Sequence, residues 1–144
     1  MPEIDPSQVP HLPVPFMNVD HALEVRMLNE IGAALAAHQR GRGDLVAVLE
    51  KLSVFAVHTR EHFLREESLM REARFPAYLV HKAEHDRALA EMNDEARAFR
   101  ESGDDQRLAS YLFRTLPEWF VNHMQSMDLV TARSTGSGAS PPAG

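Results

Sequence analysis

Residues 44–73 read DLVAVLEKLSVFAVHTREHFLREESLMREA. Leu45, Val48, Leu52, Phe55, Thr59, His62, Glu66 and Leu69 recur at alternating steps of three and four residues. That rhythm is one face of an α-helix packed in a bundle, and Asp44 stands where a helix N-cap belongs. The chemistry changes along the stripe. It starts aliphatic and then offers Thr59, His62 and Glu66, at positions a core would fill with apolar groups.

Three further segments share the helical period. The first, about Val19 to His38, carries His21, Val25, Leu28, Gly32 and Leu35 on one face and ends at Gly41-Arg42-Gly43. The third places Pro76 in its first turn and runs to about Glu101, with Tyr78, His81, His85, Ala88, Met92 and Phe99 inward. The fourth, about Asp105 to Ala132, presents Leu108, Leu112, Leu116, Trp119, His123 and Met127. Pro117 lies inside it and lacks a backbone N–H, which predicts a kink or loosened turn. Short connections between long helices imply antiparallel neighbours. The expected fold is all-α: an up-down-up-down four-helix bundle over 18–133, with an N-terminal arm (1–17) and a polar, disordered tail (134–144).

The 144 residues, 44% hydrophobic and 25% charged, suit one soluble domain. A net charge of −6 argues against nucleic acid or an anionic membrane as partner. With no cysteine, thiolate zinc, Fe–S clusters and disulfides are excluded, so any metal must take nitrogen and oxygen ligands. The start, MPEIDPSQVPHLPVPF, does not read as a secretory leader. No run of about 18 apolar residues follows, and a cytoplasmic location is expected.

Histidine is the informative residue. Of the eight, His11 in the arm and His38 at a helix end are expected at the surface. His21, His62, His81, His85 and His123 fall on the four apolar stripes. His81 and His85 are one turn apart and can grip one ion from one side; His62 and Glu66 repeat that spacing. A single histidine on an apolar face is more often a hydrogen-bonded core residue than a ligand. Four stripes delivering them to one interior are costly to bury without a metal. Iron, zinc, copper and nickel all suit imidazole. The Glu-x-x-His pattern of carboxylate-rich bundle sites is absent. A histidine-rich, carboxylate-poor site favours reversible O2 binding over O–O cleavage.

The motifs DHALEVRMLNEI, HFLREESLM, FPAYLVHKAEHD and WFVNHMQSMD, spread over about Phe16 to Val130, resemble the hemerythrin family. The resemblance implies two iron ions with a bridging oxo or hydroxo group. It assigns His81, His85 and His123 to one iron. His21 and His62 go to the other, which keeps an open position for O2. Glu66 and Asp128 would bridge. Asp128 rests on the resemblance alone, because it stands five residues after His123 and off the stripe. Phe63, Trp119 and Phe120 match apolar pocket positions.

Two residues depart from an oxygen carrier of that family. Glu24 replaces an apolar residue three after His21, and His58 stands one turn before His62, where an aromatic is common. In antiparallel helices Glu24 and His58 should share a level beside the open iron, with Trp119 in the same layer. Glu61 and Glu67 read as solvated charges, with Arg60, Arg65 and Arg71 as exposed helix partners. The leading expectation is an oxygen-binding protein for carriage, storage or delivery rather than an enzyme. The alternatives are a di-iron peroxidase or oxidase, a nitric oxide-handling enzyme, and an oxygen, iron or redox sensor. The ligand would be O2, another small diatomic or a peroxide. No protein partner is readable.

Overall fold

The computed structural model describes residues 4–136. Four long helices follow one another: α1 (Pro15–Gln39), α2 (Leu45–Glu72), α3 (Tyr78–Ser102) and α4 (105–135). A short 3-10 turn, Pro6–Gln8, precedes them, and no strand occurs among the described residues. Helix α1 packs on α2, α2 on α3, α3 on α4, and α4 back on α1. This is the expected antiparallel four-helix bundle.

The ends are set by local chemistry. Asp44 accepts a hydrogen bond from the Val46 N–H at 2.9 Å, and Asp104 accepts one from the Arg107 N–H at 3.1 Å, so two of the helices start on carboxylate caps. Gly103 closes α3 with φ +68°, a backbone state that side chains resist. Pro76 lies in the turn before α3 rather than inside its first turn. Helix α1 begins at Pro15, earlier than the apolar period alone indicates. Helix α4 runs on through Ser134 to Thr135, whose hydroxyl donates to the Thr131 carbonyl at 2.7 Å. The rest of the tail expected to be disordered, 137–144, lies outside the described residues.

Helix α4 is not a uniform α-helix. Its α segments Asp105–Ser110, Leu116–His123 and Leu129–Thr135 are joined by two π turns, Tyr111–Thr115 and Met124–Asp128. In the first, the Leu116 N–H reaches back to the Tyr111 carbonyl. Pro117 follows at once, and the widened turn is the loosening its missing donor predicts. The second π turn has no proline to announce it.

Two apolar clusters divide the interior. The larger gathers Val25, Leu28 and Leu35, Leu52 and Phe55, Met92 and Phe99, and Leu108, Leu112 and Leu116. The smaller, at the opposite end, joins Leu12, Val14, Met17 and Ala132. Every stripe histidine lies between them. The arm closes over the bundle: Asn18 exchanges two 2.8 Å hydrogen bonds with the Leu12 backbone, and Gln125 donates to the Gln8 carbonyl at 2.9 Å. Of the positions expected inward, Leu45, Leu69, Tyr78 and Met127 are only half-buried. Phe55 is fully buried in the larger cluster. Phe55→Ala should therefore cost about 3–5 kcal/mol of stability, read as a lowered midpoint in denaturant unfolding.

Candidate metal centre

Each helix delivers its polar residues to one level. His21 comes from early α1, His62 and Glu66 from late α2, His81 and His85 from early α3, and His123 and Asp128 from late α4. Antiparallel packing makes those four stretches neighbours. All seven side chains are buried, none more than 3% exposed. Seven buried titratable groups between two apolar layers need strong mutual or external compensation.

Their geometry shows what they lack. Glu66 Oε1 and Oε2, Asp128 Oδ1, and the Nε2 atoms of His21, His62 and His85 are buried without a hydrogen-bond partner among the described residues. Yet they crowd together. His62 Nε2 is 2.7 Å from Glu66 Oε2, and His85 Nε2 is 3.1 Å from Glu66 Oε1. Asp128 Oδ1 stands 3.1 Å from His81 Nε2 and 3.0 Å from His123 Nε2, while its Oδ2 is 2.9 Å from His21 Nε2. Neighbouring ligands on one ion, with bonds of about 2.1 Å at right angles, stand about 3 Å apart. The spacings are those of donors around a shared cation.

The donors form two sets, each with atoms within 4.8 Å of one another: Glu66, His81, His85, His123 and Asp128, and His21, His62, Glu66 and Asp128. The carboxylates belong to both. Glu66 turns Oε1 toward His81 and His85 and Oε2 toward His62 and His21. Asp128 turns Oδ1 toward His81 and His123 and Oδ2 toward His21. One set has five donors and the other four, so the two-histidine set is short by one.

The π turn Met124–Asp128 explains how Asp128 takes part. In a regular α-helix, five residues leave it about 140° around the axis from His123. The wider turn, with i→i+5 geometry, brings residue i+5 back under residue i. An α-helical wheel applied to the sequence therefore misses this carboxylate.

Four of the five outer nitrogens are also placed, while His21 Nδ1 has no hydrogen-bond partner among the described residues. With Nε2 turned inward, Nδ1 carries the proton. His62 donates to Asp20 at 2.7 Å, His81 to the Thr131 hydroxyl at 2.8 Å, His85 to Glu67 at 2.9 Å and His123 to Glu84 at 2.7 Å. Such partners fix each ring's tautomer and orientation and strengthen it as a donor. Arg65 holds Asp20 in turn, with Nη2 at 2.6 Å. Two sequence expectations are corrected. Glu67 is not a solvated charge but is buried against His85, and Arg65 reaches across to α1 instead of pairing along α2. Arg71 lies over the Tyr78 ring and donates to its hydroxyl at 3.2 Å. The four partners of the histidine rings come from other helices, 18 to 50 residues away, so no local spacing signals them.

Charge follows the geometry. Burial opposes a charged His123, but the Asp128 charge and the Glu84 hydrogen bond raise it to about 10. His62 and His81 are raised too, against the burial penalty, by Glu66, Asp20 and Asp128. Burial would raise Asp128 and Glu66, but the surrounding histidines hold both below the carboxylate range. Burial likewise opposes ionised Asp20, and His62 and Arg65 bring it down to about 2.

The remaining sequence candidates are divided. Glu24 is fully buried, and His58 is half-buried beside it. Glu24 Oε2 lies 3.3 Å from His58 Nδ1 and 3.9 Å from His62 Nδ1, so the two do share a level. The Glu24 carboxylate raises His58 above its ordinary value. Phe120 sets its ring against His21 at 6.1 Å, and Phe63 stacks on His85 at 3.8 Å with parallel planes. Trp119 departs from the expected layer: it stacks on His123 at 4.6 Å, on the three-histidine side. His11 is exposed, whereas His38 is half-buried.

A helical bundle with a buried, oxygen- and nitrogen-lined double nest defines a metal-binding class. The family model "Hemerythrin HHE cation binding domain" matches residues 12–132. The chain belongs to the hemerythrin family. It is similar to a bacteriohemerythrin of Ralstonia nicotianae, 34% identical over 89% of this chain and 85% of that one. It is also similar to a bacteriohemerythrin of Aquifex aeolicus, 28% identical over 92% and 98% of the two chains. No solved structure gives a significant match. Among the described residues no helix is long and apolar enough to cross a membrane.

Two outcomes follow from the outer partners and the protons. Removing a carboxylate that orients a ligand ring, as in Glu67→Gln or Glu84→Gln, should weaken metal affinity by about 10–100-fold in a chelator competition. A metal takes neutral imidazole, and His62, His81 and His123 are held protonated to higher pH than usual. Metal uptake should therefore release protons and tighten as pH rises, measured by calorimetry in buffers of different ionisation heat.

Proposed function

We propose that this chain is a non-haem di-iron protein that binds O2 for carriage, storage or delivery. The observation that carries the reading is the unequal double nest with both carboxylates shared. His81, His85 and His123 would hold one iron, His21 and His62 the other, and Glu66 and Asp128 would span the pair. An oxo or hydroxo bridge between the ions would fill the first position and leave the second one ligand short. The five-donor set exceeds the four ligands of a structural zinc site, and the two sets share both carboxylates, which favours a pair of iron ions. The bacteriohemerythrin name of the relatives points the same way.

Iron, when bound, supplies the redox chemistry and the place where O2 attaches. The chain's own residues set the conditions. Glu67, Glu84, Thr131 and Asp20 fix the rings. Phe63 and Phe120 wall the histidines with apolar surface and exclude water. A second reading, in which bound oxygen is consumed by peroxidase- or oxidase-type chemistry, is favoured by one observation. Glu24 and His58 place a carboxylate–imidazole pair, the carboxylate buried and the imidazole half-buried, where an oxygen carrier wants apolar surface.

The test is metal analysis and an optical titration of the reduced protein. The reading expects a stoichiometry of one ion per donor set, both iron, and a visible band that appears with O2 and fades under argon. Zinc, or no metal, would defeat it. Glu24→Leu separates the two readings. If Glu24 promotes consumption, the oxygenated protein should last about tenfold longer in the variant. An unchanged lifetime would remove Glu24 from the account.

A further inference from the structure

One irregularity in α4 is not used by the metal centre. The π turn Tyr111–Thr115 sits well before His123, and π turns disrupt regular packing. Beside it lies a cleft of about 280 Å³ between α3 and α4, lined by Arg87, Ala88, Glu91, Tyr111, Thr115, Leu116 and Trp119. The widened turn supplies two of these walls, Tyr111 and Thr115.

The cleft is joined to the metal centre by aromatic contact. Trp119, half-buried at its wall, stacks on His123 at 4.6 Å with planes 16° apart. The same indole meets Phe63 edge-on at 6.2 Å, and Phe63 stacks on His85 at 3.8 Å. Two ring-to-ring routes thus lead from the cleft to two histidines of the five-donor set. That is the filled position, away from the donor-poor nest where O2 would attach. A route to the filled side carries no ligand to the open position, but it suits electrons.

We propose that this cleft binds a small planar quinol, and that Trp119 and Phe63 conduct its electrons to the histidine-bound iron. The inference rests on the di-iron reading. The Trp119 indole offers a flat face for a ring. The Thr115 hydroxyl and the Tyr111 phenol offer hydrogen-bond partners for quinol oxygens. Burial pushes Tyr111 up, so its phenol keeps its proton. The volume lies just under the usual range for drug-sized ligands, about 300–1,000 Å³, which suits a compact ring system and not a nucleotide cofactor. The balance closes. The quinol becomes a quinone by losing two electrons and two protons. Each of the two ferric ions gains one electron and becomes ferrous. The protons leave to solvent at the mouth, between the exposed Arg87 and Glu91.

Trp119 is the only tryptophan in the chain, so its fluorescence reports the cleft directly. The experiment titrates menadione into the full chain loaded with redox-inert zinc. Thr115→Phe and Glu91→Phe serve as comparisons, since both fill the cleft from exposed positions outside the ligand set. The expected result is saturable quenching, weakened about tenfold in both variants. Linear quenching, or equal quenching in all three proteins, overturns the proposal. In the iron-loaded protein, reduction by menadiol should slow about tenfold in the same variants while reduction by dithionite keeps its rate. Equal slowing with both reductants also overturns it. If the chain binds no iron, the di-iron reading fails while the fluorescence arm still reports on the cleft.

Discussion

The structure depends on how two buried carboxylates are shared. Glu66 and Asp128 each face histidines of both donor sets, and both Glu66 oxygens and Asp128 Oδ1 lack a hydrogen-bond partner among the described residues. An unpaired buried anion is expensive, and breaking such a cluster by losing one partner costs more than it could contribute when whole. The bundle tolerates the arrangement because the histidines and carboxylates neutralise one another with protons. A cation between them would satisfy the same atoms with directed bonds. Fold and metal binding would be coupled in this sense: the helices bring the donors together, and a cation would replace the protons that otherwise hold them.

The rest of the molecule keeps that cluster in place. Apolar layers on either side remove water and fix the level at which the four helices meet. The outer nitrogens of His62, His81, His85 and His123 are anchored by Asp20, Thr131, Glu67 and Glu84, each contributed by a different helix from the ring it holds. Rotation of any one helix would break a ring's anchor and its inward aim together. Specific geometry therefore comes from polar contacts, and the driving force comes from apolar burial.

Much of this is legible in the sequence because helices are periodic. The stripes on α1, α2 and α3 place His21, His62, Glu66, His81 and His85 without any tertiary information. The proline in α4 warns of the first π turn. Legibility stops where the period changes or where contacts cross helices. Asp128 is invisible to an α-helical wheel because a π turn alters the residue count per turn. Glu67 reads as a surface charge beside Glu66, and only the approach of α3 makes it the partner of His85. Trp119 shows the same limit: its place four before His123 suggests the Glu24 layer, but it stacks on the His123 ring itself. Glu24 and His58 could be paired from antiparallel register because both lie on regular helix.

The most direct measurement is a crystal structure of the iron-loaded protein with anomalous diffraction collected on both sides of the iron edge. The account predicts two iron peaks, one per donor set, with His81, His85 and His123 around the first and His21 and His62 around the second. Glu66 and Asp128 should span them, and one side of the second ion should lack a protein ligand. A single peak, a metal that is not iron, or either carboxylate bound to one ion only would contradict it.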